Sequence, residues 1–186
     1  MKEILKIIVI SGILIVSVAC KQNNTEDNTD SGKKKEIKIG LRKGNMAPEL
    51  NYNSPQGESI ALSSLRGKVV LVDFWASWCP PCRRENPVLV DAYNIYKDEE
   101  FTVGKGFTVY SVSLDKDYEE WIRGIEEDNL YWENHVSDLK FWNSEGAKTY
   151  SINSIPYNFL LDENGIILAK DLRGRKLHET LESLLK

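Results

Sequence analysis

Residues 68–75 read Lys-Val-Val-Leu-Val-Asp-Phe-Trp. A strand with one solvated face would alternate polar and apolar side chains. This run is almost continuously apolar and rich in β-branched residues, so it suits a central strand covered on both faces. Such a strand needs helices on either side of its sheet, and the rest of the chain offers them. A helix is expected to start just after Cys79 and run past Tyr96, with Pro80 in its first turn, where a missing N–H is tolerated. Phe107 to Leu114 is the next predicted strand. Tyr118 to Glu127 reads as a helix with Trp121, Ile122 and Ile125 on one face. Tyr157–Leu161 and Gly165–Lys170 read as strands joined by the turn Asp162-Glu163-Asn164-Gly165. Leu177 to Leu185 is a last amphipathic helix. Pro48, Pro55 and Gly57 mark irregular or hairpin structure after Met46. The order β-α-β-α-β-β-α predicts an α/β domain over residues 44–186, with a mixed central sheet flanked by helices.

The N-terminus reads as an address. From Ile7 to Ala19 no residue is charged. That stretch is too short to span a membrane, which takes about 20 residues. A basic start followed by a short apolar run describes a secretory signal over residues 1–19. It ends in Ser17-Val18-Ala19-Cys20, and a small residue directly before a Cys resembles a bacterial lipobox, which would make Cys20 the lipidated first residue. An uncleaved anchor, or an ordinary signal with an incidental Cys, are the other readings. Residues 20–43 are polar and cannot bury enough surface to offset their ordering entropy, so they read as a flexible tether. Within it, Lys33-Lys34-Lys35 reads as solvated linker rather than a lipid contact.

Composition excludes several classes. With 41% apolar residues the chain can pack a core, and its net charge of −4 argues against a general nucleic-acid binder. Residues 44–186 are more acidic than the whole, with 15 basic and 23 acidic side chains. Three cysteines are too few for a disulfide-stapled miniprotein.

Two of those cysteines carry the strongest chemical signal, Trp78-Cys79-Pro80-Pro81-Cys82. A Cys-x-x-Cys pair at a helix start puts two sulfurs within bridging reach, the first beside backbone donors and the positive helix end. This arrangement suits an attacking Cys79 and a more shielded, resolving Cys82. Pro80 and Pro81 offer no N–H to a thiolate, so moderate acidification and a reducing pair are expected. A zinc site would need more ligands than His135 and His178 can add. A purely structural bridge would close a very short loop and stabilise little. Asp73 sits six residues before Cys79 in an otherwise buried strand. Burial would raise its pKa and make it a proton acceptor for Cys82; an Asp at a solvated strand end is the alternative.

Val72-Asp73-Phe74-Trp75-Ala76-Ser77-Trp78-Cys79-Pro80-Pro81-Cys82 resembles the active-site stretch of thioredoxin-fold proteins, in particular the TlpA/ResA-like membrane-attached thiol–disulfide oxidoreductases. Gly44-Asn45-Met46-Ala47-Pro48 and Leu65-Arg66-Gly67-Lys68-Val69-Val70-Leu71-Val72 resemble that family's opening segments. Pro87 falls where the family has a helix-kinking proline, and Ile155-Pro156 resembles its cis-proline segment. Many TlpA-like members carry Asn where this chain has Asp73, which is closer to thioredoxin itself. Lys116–Tyr150 resembles the TlpA-type helical insertion, and the resemblance implies an N-terminal extension as well.

The resemblance implies a thioredoxin-like fold and a redox cycle of Cys79 and Cys82 with no cofactor and no metal. It implies substrate contacts from Trp78, Pro80, Pro81, Ile155 and Pro156, with a backbone edge before the proline to which an extended client can pair. A trans proline in a simple turn is the bland reading of Pro156. Trp75 and Trp78 resemble the family's shielding aromatics, whereas Trp121, Trp132 and Trp142 read first as core or insertion filling, with peptide binding as their secondary reading. The implied partners are disulfides in client proteins, a membrane thiol electron donor and the membrane itself through the lipid anchor. A monomer is expected. The implied place is the cell envelope outside the cytoplasm, periplasmic or cell-surface, with a role such as cytochrome c maturation. A lipid-anchored binding or scaffold module with an inert bridge, and the same exchange run as an oxidase, are the competing functions.

Overall fold

The computed structural model describes residues 37–186. The signal over 1–19, Cys20 and most of the 20–43 span lie outside the described residues. Nine strands and four α-helices follow in order: β1 Asn51–Asn53, β2 Ser59–Ala61, β3 Val69–Trp75, α1 Pro80–Tyr96, β4 Glu100–Phe101, β5 Gly104–Lys105, β6 Phe107–Ser113, α2 Tyr118–Glu127, β7 His135–Ser137, α3 Glu145–Thr149, β8 Tyr157–Leu161, β9 Ile167–Lys170 and α4 Arg175–Glu182. Seven strands form one mixed sheet in the order β2-β1-β7-β6-β3-β8-β9, and β4 and β5 make a separate hairpin.

β3 lies inside the sheet, as its unbroken run requires. It pairs with β6 in parallel and with β8 antiparallel, and all seven of its residues are buried. Burying such β-branched side chains contributes about 1.5–3 kcal/mol each. The predicted elements around β3 are present, with the last helix beginning and ending slightly earlier than its pattern suggested.

The sequence did not announce two features. Lys116–Tyr150 is not simply helical, because β7 adds a parallel strand beside β6. A three-residue strand is too short to show a period. The β1–β2 hairpin then docks antiparallel on β7 and extends the sheet. Residues before Ala47 also join the domain: the Gly40 N–H donates to Met46 O at 3.0 Å, and the Gly44 N–H to Ile167 O at 2.8 Å.

The core lies on both sheet faces. Trp75, Phe74, Leu71, Leu89, Tyr110 and Phe159 sit in it. Trp121 and Trp132 are core residues as expected, and Trp132 Nε1 donates to Ser111 Oγ at 2.9 Å. His135 is buried, stacked on Trp132, and burial lowers its pKa to about 4, so it is neutral.

α2 approaches the loop that follows β3 unusually closely. A Cβ at Gly124 would stand 2.9 Å from Ser77 Cβ and 3.3 Å from Trp75 Cη2. In an isolated helix Gly→Ala would gain about 1 kcal/mol, but overpacking costs about 1–3 kcal/mol. Gly124→Ala is therefore expected to lower the melting temperature by a few degrees in a circular-dichroism melt. A rise would show that α2 can move away from Ser77 freely.

Candidate active site

The sheet topology gathers the chemistry at one edge. β3, β6 and β7 run parallel, so the segments leaving their C-terminal ends emerge together. β8 is antiparallel to β3 with Phe74 opposite Tyr157, which brings the residue before Tyr157 to the same edge. Cys79 follows β3, Asp115 follows β6, the Phe141–Asn143 turn of 3-10 helix follows β7, and Pro156 precedes β8.

Cys79 is the N-cap of α1, and Pro80 and Pro81 open the helix. Cys79 and Cys82 are joined in a disulfide, with Cα atoms 5.3 Å apart. Cys82 lies inside the first turn and is fully buried, while Cys79 is 3% exposed between exposed Trp78 and exposed Pro80. The Cys82 N–H donates to Cys79 Sγ at 3.2 Å.

The loop before Cys79 is held by Asp115. Its carboxylate accepts from Ser77 N–H at 3.0 Å, from the Ser77 hydroxyl at 2.6 Å and from the Ser113 hydroxyl at 2.7 Å. Trp78 Nε1 donates to Leu114 O at 3.3 Å, and the residue as a whole is 42% exposed. Arg83 ties α1 to the end of α2 by donating to Asp128 and, at 2.9 Å, to Glu127.

Asp73 is buried within β3. Burial pushes its pKa up to about 7; the Arg173 guanidinium works against that rise and the Glu85 carboxylate adds to it. Among the described residues no hydrogen bond joins it to either sulfur of the disulfide.

The Ile155–Pro156 peptide bond is cis, and both residues are half-buried. Arg173 donates to Pro156 O and, at 2.8 Å, to Asp171. The Glu85 carboxylate accepts the Gly174 N–H. Glu85, Asp115 and Arg173 were not singled out from the sequence. Glu85 stands three residues after Cys82, on the same helix face, and that spacing was a readable signal. Asp115 and Arg173 reach the site only through sheet topology.

Trp142 lies in the insertion, as expected, but does not fill it. It is 37% exposed, with its ring 6.1 Å from that of Trp78. Among the described residues no cluster of three or more His, Cys, Asp or Glu is placed to hold a metal, and no helix is long and apolar enough to cross a membrane.

A disulfide capping a helix beside a cis-proline edge, on a sheet of this order, defines a thiol–disulfide exchange protein of thioredoxin-like fold. Comparison with known proteins agrees. The family described as Thioredoxin-like matches residues 67–167. The thiol-disulfide oxidoreductase ResA of Bacillus thuringiensis subsp. konkukian is 31% identical over 150 residues, covering 77% of this chain and 76% of that one. The thioredoxin domain of a thiol-disulfide oxidoreductase from Bacteroides vulgatus superposes with a TM-score of 0.70 at 39% identity, covering 79% of this chain and 100% of that one. A thiol:disulfide interchange protein from Bacteroides sp. gives 0.69 at 40% identity, covering 78% and 91%. The chain belongs to the thioredoxin-like thiol–disulfide oxidoreductases, whose redox-active group is a cysteine pair.

Proposed function

We propose that the chain reduces disulfides in client proteins outside the cytoplasm. The Cys79 thiolate attacks one sulfur of a client disulfide. That S–S bond breaks, the other client sulfur leaves as a thiolate, and a mixed disulfide joins Cys79 to the client. Asp73 takes the Cys82 proton. The Cys82 thiolate then attacks Cys79 Sγ, the second client thiolate leaves, and two electrons have passed from the pair to the client. The closed Cys79–Cys82 disulfide must then be reopened by a thiol donor at the membrane, because the surrounding compartment is oxidising. Trp78, Pro80, Pro81, Ile155 and Pro156 form the surface on which the client lies, with the backbone at Ile155 pairing with it as an added strand. Cys20 carries the lipid that keeps the domain at the membrane, and cytochrome c maturation is the kind of task the family resemblance suggests.

One observation supports the reducing direction. Cys79 Sγ accepts a single backbone N–H, that of Cys82, because Pro80 and Pro81 have none to give. A sparsely solvated thiolate is only moderately stabilised, and it is strong thiolate stabilisation that makes a pair oxidising.

The test is the reduction potential of the pair, measured by equilibration with dithiothreitol, together with turnover of insulin disulfides. The expected potential lies nearer thioredoxin's, about −270 mV, than that of a strong oxidant, about −120 mV. A value near the latter would reverse the direction. A very low potential with no turnover would make the bridge inert and favour a binding module.

A further inference from the structure

We infer that Phe141 and Trp142 extend Trp78 into an aromatic shelf that selects clients carrying an aromatic or large aliphatic residue within about three positions of the disulfide cysteine. This rests on the oxidoreductase reading and adds a specificity element to it.

Three rings meet there. Phe141 lies 4.9 Å from Trp78, Trp142 lies 6.1 Å from Trp78, and the two lie 6.1 Å from each other, all at tilted or edge-on angles. Trp78 and Trp142 are each more than a third exposed, so this apolar surface faces solvent. A folded chain gains nothing from leaving clustered aromatics wet, and clustered exposure marks a surface that meets something.

The backbone carrying the shelf is held in an unfavourable shape. Leu139 and Phe141 have φ of +53° and +54°, a left-handed conformation that bulky residues avoid. Local bonds fix it. Ser137 Oγ accepts the Leu139 N–H at 3.0 Å, and the Asp138 carboxylate accepts the Lys140 and Glu145 N–H groups at 3.2 and 3.1 Å. A strained segment that is this firmly held, and that ends in two aromatics facing Trp78, is organised around those aromatics.

The occupant follows from continuity with the reactive pair. Trp78 directly precedes Cys79, so a client whose disulfide reaches Cys79 Sγ lies against Trp78. Its next few residues, at about 3.3 Å each when extended, cover the distance to Phe141 and Trp142. Between the shelf and α2 lies a cleft of about 480 Å³ whose lining includes Trp78, Phe141 and Gly124 and charged side chains of both signs, among them Arg83, Lys116 and Glu120. Its apolar wall and mixed-charge rim suit one large apolar side chain on a polypeptide. Offset and edge-on ring contacts would favour an aromatic one.

Two cystine-bridged peptides, identical except for Trp or Ser two residues from the cysteine, test this with the reduced full-length chain. The wild type is expected to reduce the Trp peptide with a kcat/KM about tenfold higher, a difference of ~1.4 kcal/mol. The Phe141→Ala, Trp142→Ala double variant is expected to bring that ratio below about twofold, and Phe141→Tyr with Trp142→Phe to keep it. Equal rates on both peptides by the wild type overturn the shelf while leaving the oxidoreductase reading intact. A wild type that reduces neither peptide overturns the reading itself. Equal rates together with aromatic-dependent binding to phosphatidylglycerol vesicles would assign the shelf to lipid instead and equally overturn the inference. A folded double variant that keeps the tenfold ratio likewise overturns the inference, and equal wild-type rates overturn it whether or not the double variant folds.

Discussion

Cys79→Ser is expected to bring insulin-disulfide reduction down to the uncatalysed rate, and Cys82→Ser to stop it after one half-reaction with a client covalently attached. The two residues sit in different physical positions although both sulfurs are nearly buried. Cys79 caps the helix between two exposed residues, so its sulfur is the one an incoming disulfide can meet. Cys82 lies within the first turn and is fully buried. Without Cys79 no nucleophile faces the client. Without Cys82 the mixed disulfide forms but must be released by an external thiol. Well-oriented intramolecular attack corresponds to effective molarities of about 10⁵ M and above. Even a small part of that advantage exceeds a millimolar external thiol by about a thousandfold or more. Non-reducing gels of Cys82→Ser incubated with an oxidised client should show the adduct, and those of Cys79→Ser should not. An adduct through Cys82 in the Cys79→Ser chain would reverse the assignment of the two roles.

The parts of this site that were legible in the sequence are those encoded over a few consecutive residues. β3 was readable because its apolar run is short, nearly unbroken and rich in β-branched residues, which suits a strand buried on both faces. α1 was readable because Pro80 and Pro81 sit in a first turn, where a missing N–H is tolerated, ahead of a long stretch whose one further breaker is Pro87. The β8–β9 hairpin was readable because Asp162 and Gly165 are turn residues: the Asp162 carboxylate accepts the Asn164 and Ile166 N–H groups, and Gly165 takes a φ of +83°. What stayed hidden depends on pairing between distant residues. β7 has three residues and exists because β6 on one side and β1 on the other hold it. Asp115 looks like any loop acid until β6 delivers it beneath Ser77. For Trp142 the sequence left core or insertion filling as the first reading and peptide binding as the second, with nothing to choose between them locally. The left-handed turn at Leu139 and Phe141, which swings it toward Trp78 instead, has no glycine to announce it.

Asp73→Asn is expected to stabilise the fold at pH 8 and to slow the release of clients, two effects of opposite value to the protein. The sign of the first follows from proton binding. With its pKa pushed up to about 7, folded Asp73 keeps a proton that the unfolded chain gives up near 3.8. Below about pH 4 both states are protonated and Asp73 costs nothing. As pH rises toward 7 the unfolded state releases its proton first, so stability falls across that window, and above 7 the folded protein holds a buried carboxylate. A rise of about three units at 1.36 kcal/mol each sets a ceiling of about 4 kcal/mol on the cost. Arg173 offsets part of the charge and Glu85 adds to it. Asparagine fills the same space without ionising, so urea denaturation at pH 8 should show the variant more stable by about 2–4 kcal/mol, with the gap closing by pH 4. His135, which stays neutral in the fold, is common to both chains and cancels in that difference. The kinetic effect runs the other way. General-base assistance is worth about 10²–10⁴-fold, so release of the mixed disulfide should slow by about a hundredfold at pH 7.5. In the wild type that rate should rise with pH through about 7 as Asp73 ionises. In the variant the limb near pH 7 should vanish, and the rate should rise only as the Cys82 thiol ionises unaided. Stopped-flow release of a labelled peptide across pH 5.5–9.5 reads both limbs. A variant that is more stable at pH 8 yet releases peptide at the wild-type rate would leave Asp73 a buried charge with no part in the chemistry.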